Sequence, residues 1–174
     1  MSDSVSSTEV PINWVLENKR LDASYYSQDG IEARVLLDEL SDDGVQLENL
    51  GTFTEDIFKK SRFKRDYVEQ GQGGEPYLTP TDMFMFPIKE RKYISNPPDG
   101  LKANPDWILM TRSGTVGRTI VANEHLSNYI LSDDLIRAIP KDGRKGYLYA
   151  YLNTWIGQAL LTKDEFGAAI KHID

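Results

Sequence analysis

The sequence contains no cysteine. That excludes disulfides, thiolate metal ligands and cysteine nucleophiles together, and it fits a reducing, cytoplasmic setting. Histidine is nearly as scarce. His125 and His172 are the only two, with no His-x-x-x-His or Glu-x-x-His spacing, so no transition-metal centre is expected. No apolar run approaches the roughly 20 residues needed to cross a bilayer, so no membrane association is expected. The opening Met1–Glu9 lacks the basic region and apolar stretch of a secretory signal. Phosphate-binding glycine loops are missing too. Gly114-Thr-Val-Gly117 is not the dinucleotide pattern Gly-x-Gly-x-x-Gly, no Gly-Lys-Ser/Thr comes after it, and no Gly-x-Ser-x-Gly elbow exists for a serine nucleophile.

What is present suits one soluble domain. A chain of 174 residues, 40% of them hydrophobic, is long enough to bury a core. The net charge of −7 argues against a simple electrostatic DNA-binder. That charge is segregated, however. Residues 1–58 hold 13 acids against 3 bases, while residues 59–174 hold 14 acids against 17 bases. The bases cluster as Lys59, Lys60, Arg62, Lys64 and Arg65, then Lys89, Arg91 and Lys92. Such clusters fit either a solvated surface or a DNA-facing one.

Along the chain, residues 1–13 read as a disordered tail and 14–174 as the folded domain. Trp14 to Tyr26 reads as irregular with apolar anchors. Ile31, Val35, Leu36 and Leu40 predict a helix over about 29–41, with Gly44 shortly after its end. Residues 45–53 look extended, and 71–76 form a Gly/Pro loop. Tyr77–Thr79 is a short strand candidate, succeeded by a helical turn with Thr79 as its cap. Asn96–Gly100 is a turn. Trp107–Arg112 and Val116–Val121 are strands flanking a tight Ser113-Gly114-Thr115 turn, and Leu135–Ile139 is another strand. Tyr147–Leu161 carries a wide apolar stripe and predicts one helix, with Tyr147, Tyr151 and Trp155 in the core. Met83–Phe86 reads as packing with one ring exposed, and Phe166–Ile173 closes the chain. Strands and helices interleave without a regular βαβ rhythm, so the fold class is α+β.

One segment suggests catalysis. Asn96-Pro97-Pro98-Asp99 resembles the Asn/Asp-Pro-Pro-aromatic motif of adenine methyltransferases, in which the ring stacks on a flipped base. Asp99 has no ring, and no glycine-rich cofactor loop precedes it. A proline turn accounts for the segment better. The pairs Asp42-Asp43 and Asp133-Asp134 read as turn and solvation residues.

Five segments carry a family resemblance in order. They are Arg20-Leu-Asp-Ala-Ser-Tyr-Tyr26, Gly74-Glu-Pro-Tyr-Leu-Thr-Pro-Thr-Asp82, Asp106-Trp-Ile-Leu-Met-Thr-Arg-Ser-Gly-Thr-Val-Gly117, Gly146-Tyr-Leu-Tyr-Ala-Tyr-Leu-Asn-Thr154 and Phe166-Gly-Ala-Ala-Ile-Lys-His-Ile173. Together they resemble the N-terminal half of a type I restriction–modification specificity subunit. The resemblance implies a single globular target-recognition domain with a curved mixed β-sheet and flanking helices. It implies sequence-specific binding of double-stranded DNA without catalysis. Methyltransferase (modification) subunits, which hold S-adenosylmethionine, and a restriction subunit are the implied partners, and the chain itself is expected to hold no cofactor and no metal. The second recognition domain and the spacer helix after a Pro-Leu-Pro segment are absent, so the chain reads as an excised domain or a truncated product.

Base reading needs donors and acceptors at base edges, with Arg suited to guanine and Asn or Gln to adenine. The candidate DNA contacts are Lys59, Lys60, Arg62, Lys64, Arg65, Gln70, Gln72, Lys89, Arg91, Lys92, Arg112, Ser113, Thr115 and Arg118. The 112–118 turn is equally well explained as a strand connection whose glycines take positive φ. Two other readings stay open: a fragment of an adenine-specific DNA methyltransferase, and a protein-interaction module of the same system acting through the acidic residues 1–58.

Overall fold

The computed structural model describes residues 7, 9–21, 25–90, 92–163 and 173. In chain order the α-helices are α1 (Ile12–Asn18), α2 (Gln28–Asp42), α3 (Lys145–Leu152) and α4 (Trp155–Thr162). The strands are β1 (Thr54–Lys59), β2 (Tyr67–Val68), β3 (Glu75–Leu78), β4 (Lys92–Ile94), β5 (Ile108–Thr111), β6 (Thr119–Val121), β7 (Ile130–Leu131) and β8 (Leu135–Pro140). Among the described residues these form two four-stranded sheets, ordered β1-β8-β5-β6 and β2-β4-β3-β7. The first is antiparallel throughout; the second contains one parallel pair, β3 with β7. The fold is α+β.

The two sheets share one chain path. It passes between them after β1, β4, β6 and β7, so the first sheet is not complete until β8 is laid down. The central strand β5 shows why the sequence demands this. Its four residues are all buried, and alternate side chains of a strand face opposite sides. Leu109 joins Leu78, Met83, Leu126, Leu131 and Leu135 in one cluster. Ile108 and Met110 join Ile136, Ala138, Leu148 and Leu152 in another, under α3. A strand covered on both faces needs an unbroken apolar run, and Ile-Leu-Met supplies it.

Arg137 interrupts this apolar pattern. It pairs with Leu109 across the sheet and therefore shares that residue's face. The side chain is wholly buried. It donates to the carbonyls of Leu135 (3.2 Å), Leu101 (3.3 Å) and Ser132 (3.2 Å). Burial pushes its guanidinium pKa down to about 10, with the Asp133 carboxylate pulling the other way.

The helices differ from the sequence reading in three respects. The Trp14–Tyr26 stretch is not irregular throughout, because α1 starts at Ile12 and Trp14 is buried beneath the Arg34 guanidinium of α2, 4.4 Å from its ring. The single helix expected over 147–161 is two helices. Thr154 ends α3 and caps α4: its hydroxyl donates to Tyr151 O at 2.7 Å and accepts from Gly157 N at 3.0 Å. A β-carbon at Gly157 would lie 2.1 Å from Tyr151 O, so the close approach of the two helices requires glycine. The third correction concerns the aromatics assigned to the core. Tyr147 and Trp155 are exposed, at 57% and 52%, and Tyr151 is half-buried; Leu148 and Leu152 face the sheet instead.

Other expectations match. The helix over 29–41 is α2, capped by the Ser27 hydroxyl, which accepts from Gly30 N. The strands over 107–112 and 135–139 are β5 and β8. Phe86 is the fully exposed ring of the Met83–Phe86 segment. Residues 45–53, expected to be extended, end in a 3-10 turn over Leu50–Phe53. The closing segment 166–173 lies outside the described residues except for Ile173, which is buried.

Candidate nucleic-acid interface

The interface is a consequence of the strand order. β8 lies between β1 and β5 and is antiparallel to both. The ends of those strands therefore meet its beginning: Lys59 pairs with Ile136 and Thr111 with Leu135. The basic segment 60–65 continues β1, the turn 112–118 continues β5, and Ser132-Asp133-Asp134 leads into β8. Antiparallel pairing sets these three segments side by side.

Two adjoining depressions result. One, of about 260 Å³, is lined by Lys59, Lys60, Ser61, Arg62, Arg65, Arg112, Asp133 and Asp134. The other, of about 400 Å³, is lined by Thr81, Phe84, Thr111, Ser113, Gly114, Thr115, Arg118 and Asp134, with Pro80. Asp134 borders both and joins them into one trough. The structure thus brings together two groups of candidates that stand far apart in the sequence.

The turn itself is organised by Thr111. Its hydroxyl donates to Thr115 O and accepts from Arg118 N at 3.0 Å, while Gly117 N donates to Thr111 O at 2.9 Å. Gly114 and Gly117 take φ of 76° and 81°, a region that favours glycine. Gly117 is also buried under α4, where Gln158 Nε2 donates to its carbonyl at 2.9 Å. The glycines are therefore architectural. Thr115 and Arg118 are exposed on the turn and Ser113 half-buried. Arg118 places its guanidinium 3.8 Å from the centre of the Phe84 ring.

The cations of the trough are held to different degrees. Arg112 lies 3.8 Å from Asp134, a loose pair with both side chains partly exposed. Lys64, a sequence candidate, does not line the trough and pairs with Asp66 at the surface, at 2.7 Å. Lys60 lies 5.3 Å from the Phe58 ring. Arg65 is held at two points: Nη2 bonds Asp133 Oδ1, Nε donates to Tyr77 OH at 2.9 Å, and its side chain is 21% exposed. Burial raises the Tyr77 phenol above its ordinary pKa, with Ser132 and Arg65 opposing the rise.

The remaining candidates lie elsewhere. Gln70 and Lys92 border a separate depression on the second sheet with Glu69 and Glu90, where two acids outnumber the one cation. Gln72 Oε1 accepts from Glu69 N at 3.2 Å, closing a turn. Lys89 is exposed, and Arg91 lies outside the described residues. Asn96–Gly100 is a turn region with Asn96 at φ 46° and Asp99 exposed. His125 Nε2 is 3.3 Å from Tyr129 OH. No cluster of His, Cys, Asp or Glu suited to a metal occurs among the described residues. No helix there is long and apolar enough to cross a membrane.

Four residues are absent from the sequence-based candidates. Asp133 and Asp134 read as turn residues because their partners are remote in the chain. Phe84 read only as packing. Arg137 did leave a signal, as a charge inside Leu-Ile-Arg-Ala-Ile.

No known protein-family profile matches the chain, and no curated protein matches it. Solved structures do. The HsdS subunit from Thermoanaerobacter tengcongensis superposes with a TM-score of 0.50 at 22% identity, covering 86% of this chain. A structure described as underlying complex assembly and conformational transition of the type I R-M system gives 0.50 at 23% identity, also over 86%. The chain spans only 39% of the length of each. Over that span, this chain shares the fold of the HsdS subunit.

Proposed function

We propose that this chain is a sequence-specific DNA-recognition domain of a type I restriction–modification specificity subunit, non-catalytic, and acting in the cytoplasm. It reads double-stranded DNA and directs methyltransferase and restriction subunits to the site. S-adenosylmethionine is held by the methyltransferase partners and not by this chain. The observation that carries the reading is the convergence of 59–62 and 112–118 on one trough. Lys59, Lys60 and Arg62 supply phosphate contacts there, and Arg112, Ser113, Thr115 and Arg118 supply donors suited to base edges or phosphates. The likeness of fold to an HsdS subunit supports the same reading.

The experiment is a titration of labelled duplexes against this chain, alone and assembled with methyltransferase subunits, over a series of salt concentrations. Affinity is expected to fall linearly in log–log form with a slope of about −0.9 per phosphate neutralised. Equal affinity of the assembled complex for every base sequence overturns the proposal, whatever its salt dependence. A second reading, as a protein-interaction module, draws on α2, whose Asp29, Glu32, Asp38, Glu39 and Asp42 are all exposed. Loss of methyltransferase-subunit binding on reversing those charges supports that role, which is compatible with DNA reading. The methyltransferase-fragment reading requires S-adenosylmethionine binding, and a calorimetric blank removes it.

A further inference from the structure

Arg65 stands in the most basic segment of the chain, yet its surroundings set it apart from its neighbours. Its guanidinium is gripped on two edges, by the Asp133 carboxylate and by the Tyr77 hydroxyl at 2.9 Å. Two aromatic rings lie close to it, Phe63 at 5.0 Å and Tyr77 at 5.7 Å. Asp133 is itself only 8% exposed and sits next to the link that Arg137 fastens through Ser132 O and Leu135 O. Arg112 is held differently. That residue faces Asp134 across 3.8 Å, and the Asp134 side chain is 39% exposed.

A cation contributes to phosphate binding by exchanging counterions for a phosphate. Arg65 would first have to surrender a charge-assisted bond to a buried carboxylate, leaving Asp133 unpaired. The exchange gains nothing and strands a charge. We infer that Asp133 withholds Arg65 from DNA, making Asp133 a positioning residue that lowers sequence-blind attraction in the trough. The inference rests on the DNA-binding reading above. On it, the trough is less cationic than its sequence, and a larger share of binding falls to the groups around Arg112 and Arg118.

The test uses the whole chain with Asp133→Asn, Arg65→Gln and the double variant, each checked for folding by circular dichroism. Binding to a random-sequence duplex is measured against salt concentration. In parallel, elution from immobilised heparin reads cation availability on a polyanion without bases. Asp133→Asn is expected to steepen the log–log slope by about 0.9, one added phosphate, and to elute from heparin at higher salt. The double variant is expected to return both to the wild-type values. Arg65→Gln is expected to keep the wild-type slope. A slope shallower by about 0.9 in Arg65→Gln, or a folded Asp133→Asn with wild-type slope and elution, overturns the inference. Should Asp133→Asn fail to fold, Arg65→Gln decides. Should the wild type ignore duplex DNA, the DNA reading fails, and heparin elution of the variants still decides whether Asp133 withholds the cation.

Discussion

The guanidinium of Arg118 lies 3.8 Å from the centre of the Phe84 ring, tying the β5–β6 connection to the segment just after β3. The two belong to different sheets' peripheries, so the stack spans one side of the trough. A cation over an aromatic face is attracted by the ring's negative face. It is also held in one place, which matters for a side chain that reads or steers.

Replacing that ring should loosen the arginine without removing it. Phe84→Leu keeps apolar volume and is expected to lower stability by about 1 kcal/mol, measured by urea unfolding. On the proposed function it also weakens duplex binding, while Arg118→Ala weakens it further and makes the salt slope shallower. A Phe84→Leu variant with unchanged binding would assign the ring a packing role alone.

Arg137 is expected to be among the residues least tolerant of change. Arg137→Met strips three carbonyls of their donor and leaves Asp133 without its buried neighbour. The expected loss is about 3 kcal/mol or more, since each buried carbonyl left without a donor costs about 1–3 kcal/mol. Leu109→Ala, opposite Arg137 on the same face, should cost about 2–5 kcal/mol through lost burial and a residual cavity. Both are read from the midpoint and slope of denaturant unfolding.

The break between α3 and α4 makes its own prediction. Gly157→Ala sets a β-carbon 2.1 Å from Tyr151 O, so the helices must part. The expected loss is about 1–3 kcal/mol, as for other overpacked sites. Thr154→Ala removes the α4 cap together with the bond to Tyr151 O, without a steric clash, and should cost about 1 kcal/mol. Thermal melts of the two variants, compared with wild type, test the ranking.

Tyr77 sets a pH dependence. Burial raises its phenol pKa in the folded chain, so the unfolded chain ionises first as alkali is added. Between the two pKa values the folded state binds more protons, and stability falls as pH rises. The stabilisation is complete below the unfolded phenol's pKa and is lost through the folded one. Near-ultraviolet absorbance during alkaline titration should show a late-ionising tyrosine component that Tyr77→Phe diminishes.

Much of the fold was legible where neighbours in sequence decide the outcome. α2 announced itself by apolar spacing, and its Ser27 cap agrees. β5 announced itself as a continuous apolar run because both its faces are covered. β1 did not. Its Thr-Glu-Asp-Ile-Phe-Lys is mostly exposed and alternates poorly, and it is a strand because it pairs along β8. Periodicity shows that residues share a stripe but not which of them reach the sheet. Leu148 and Leu152 do, Tyr147 lies at the stripe's exposed margin in the same helix, and Trp155 stands at the exposed start of α4 after the break.

The sequence by itself determined the class of the fold, the apolar strands and the places where basic residues cluster, since these arise from local propensity and composition. Which clusters meet was decided only by tertiary structure. Placing β8 between β1 and β5 brings Lys59–Arg65 beside Arg112–Arg118 and sets Asp133 and Asp134 among them. The physical reason is the antiparallel register: it makes distant chain segments neighbours, and no local pattern encodes which distant carboxylate will hold a given arginine.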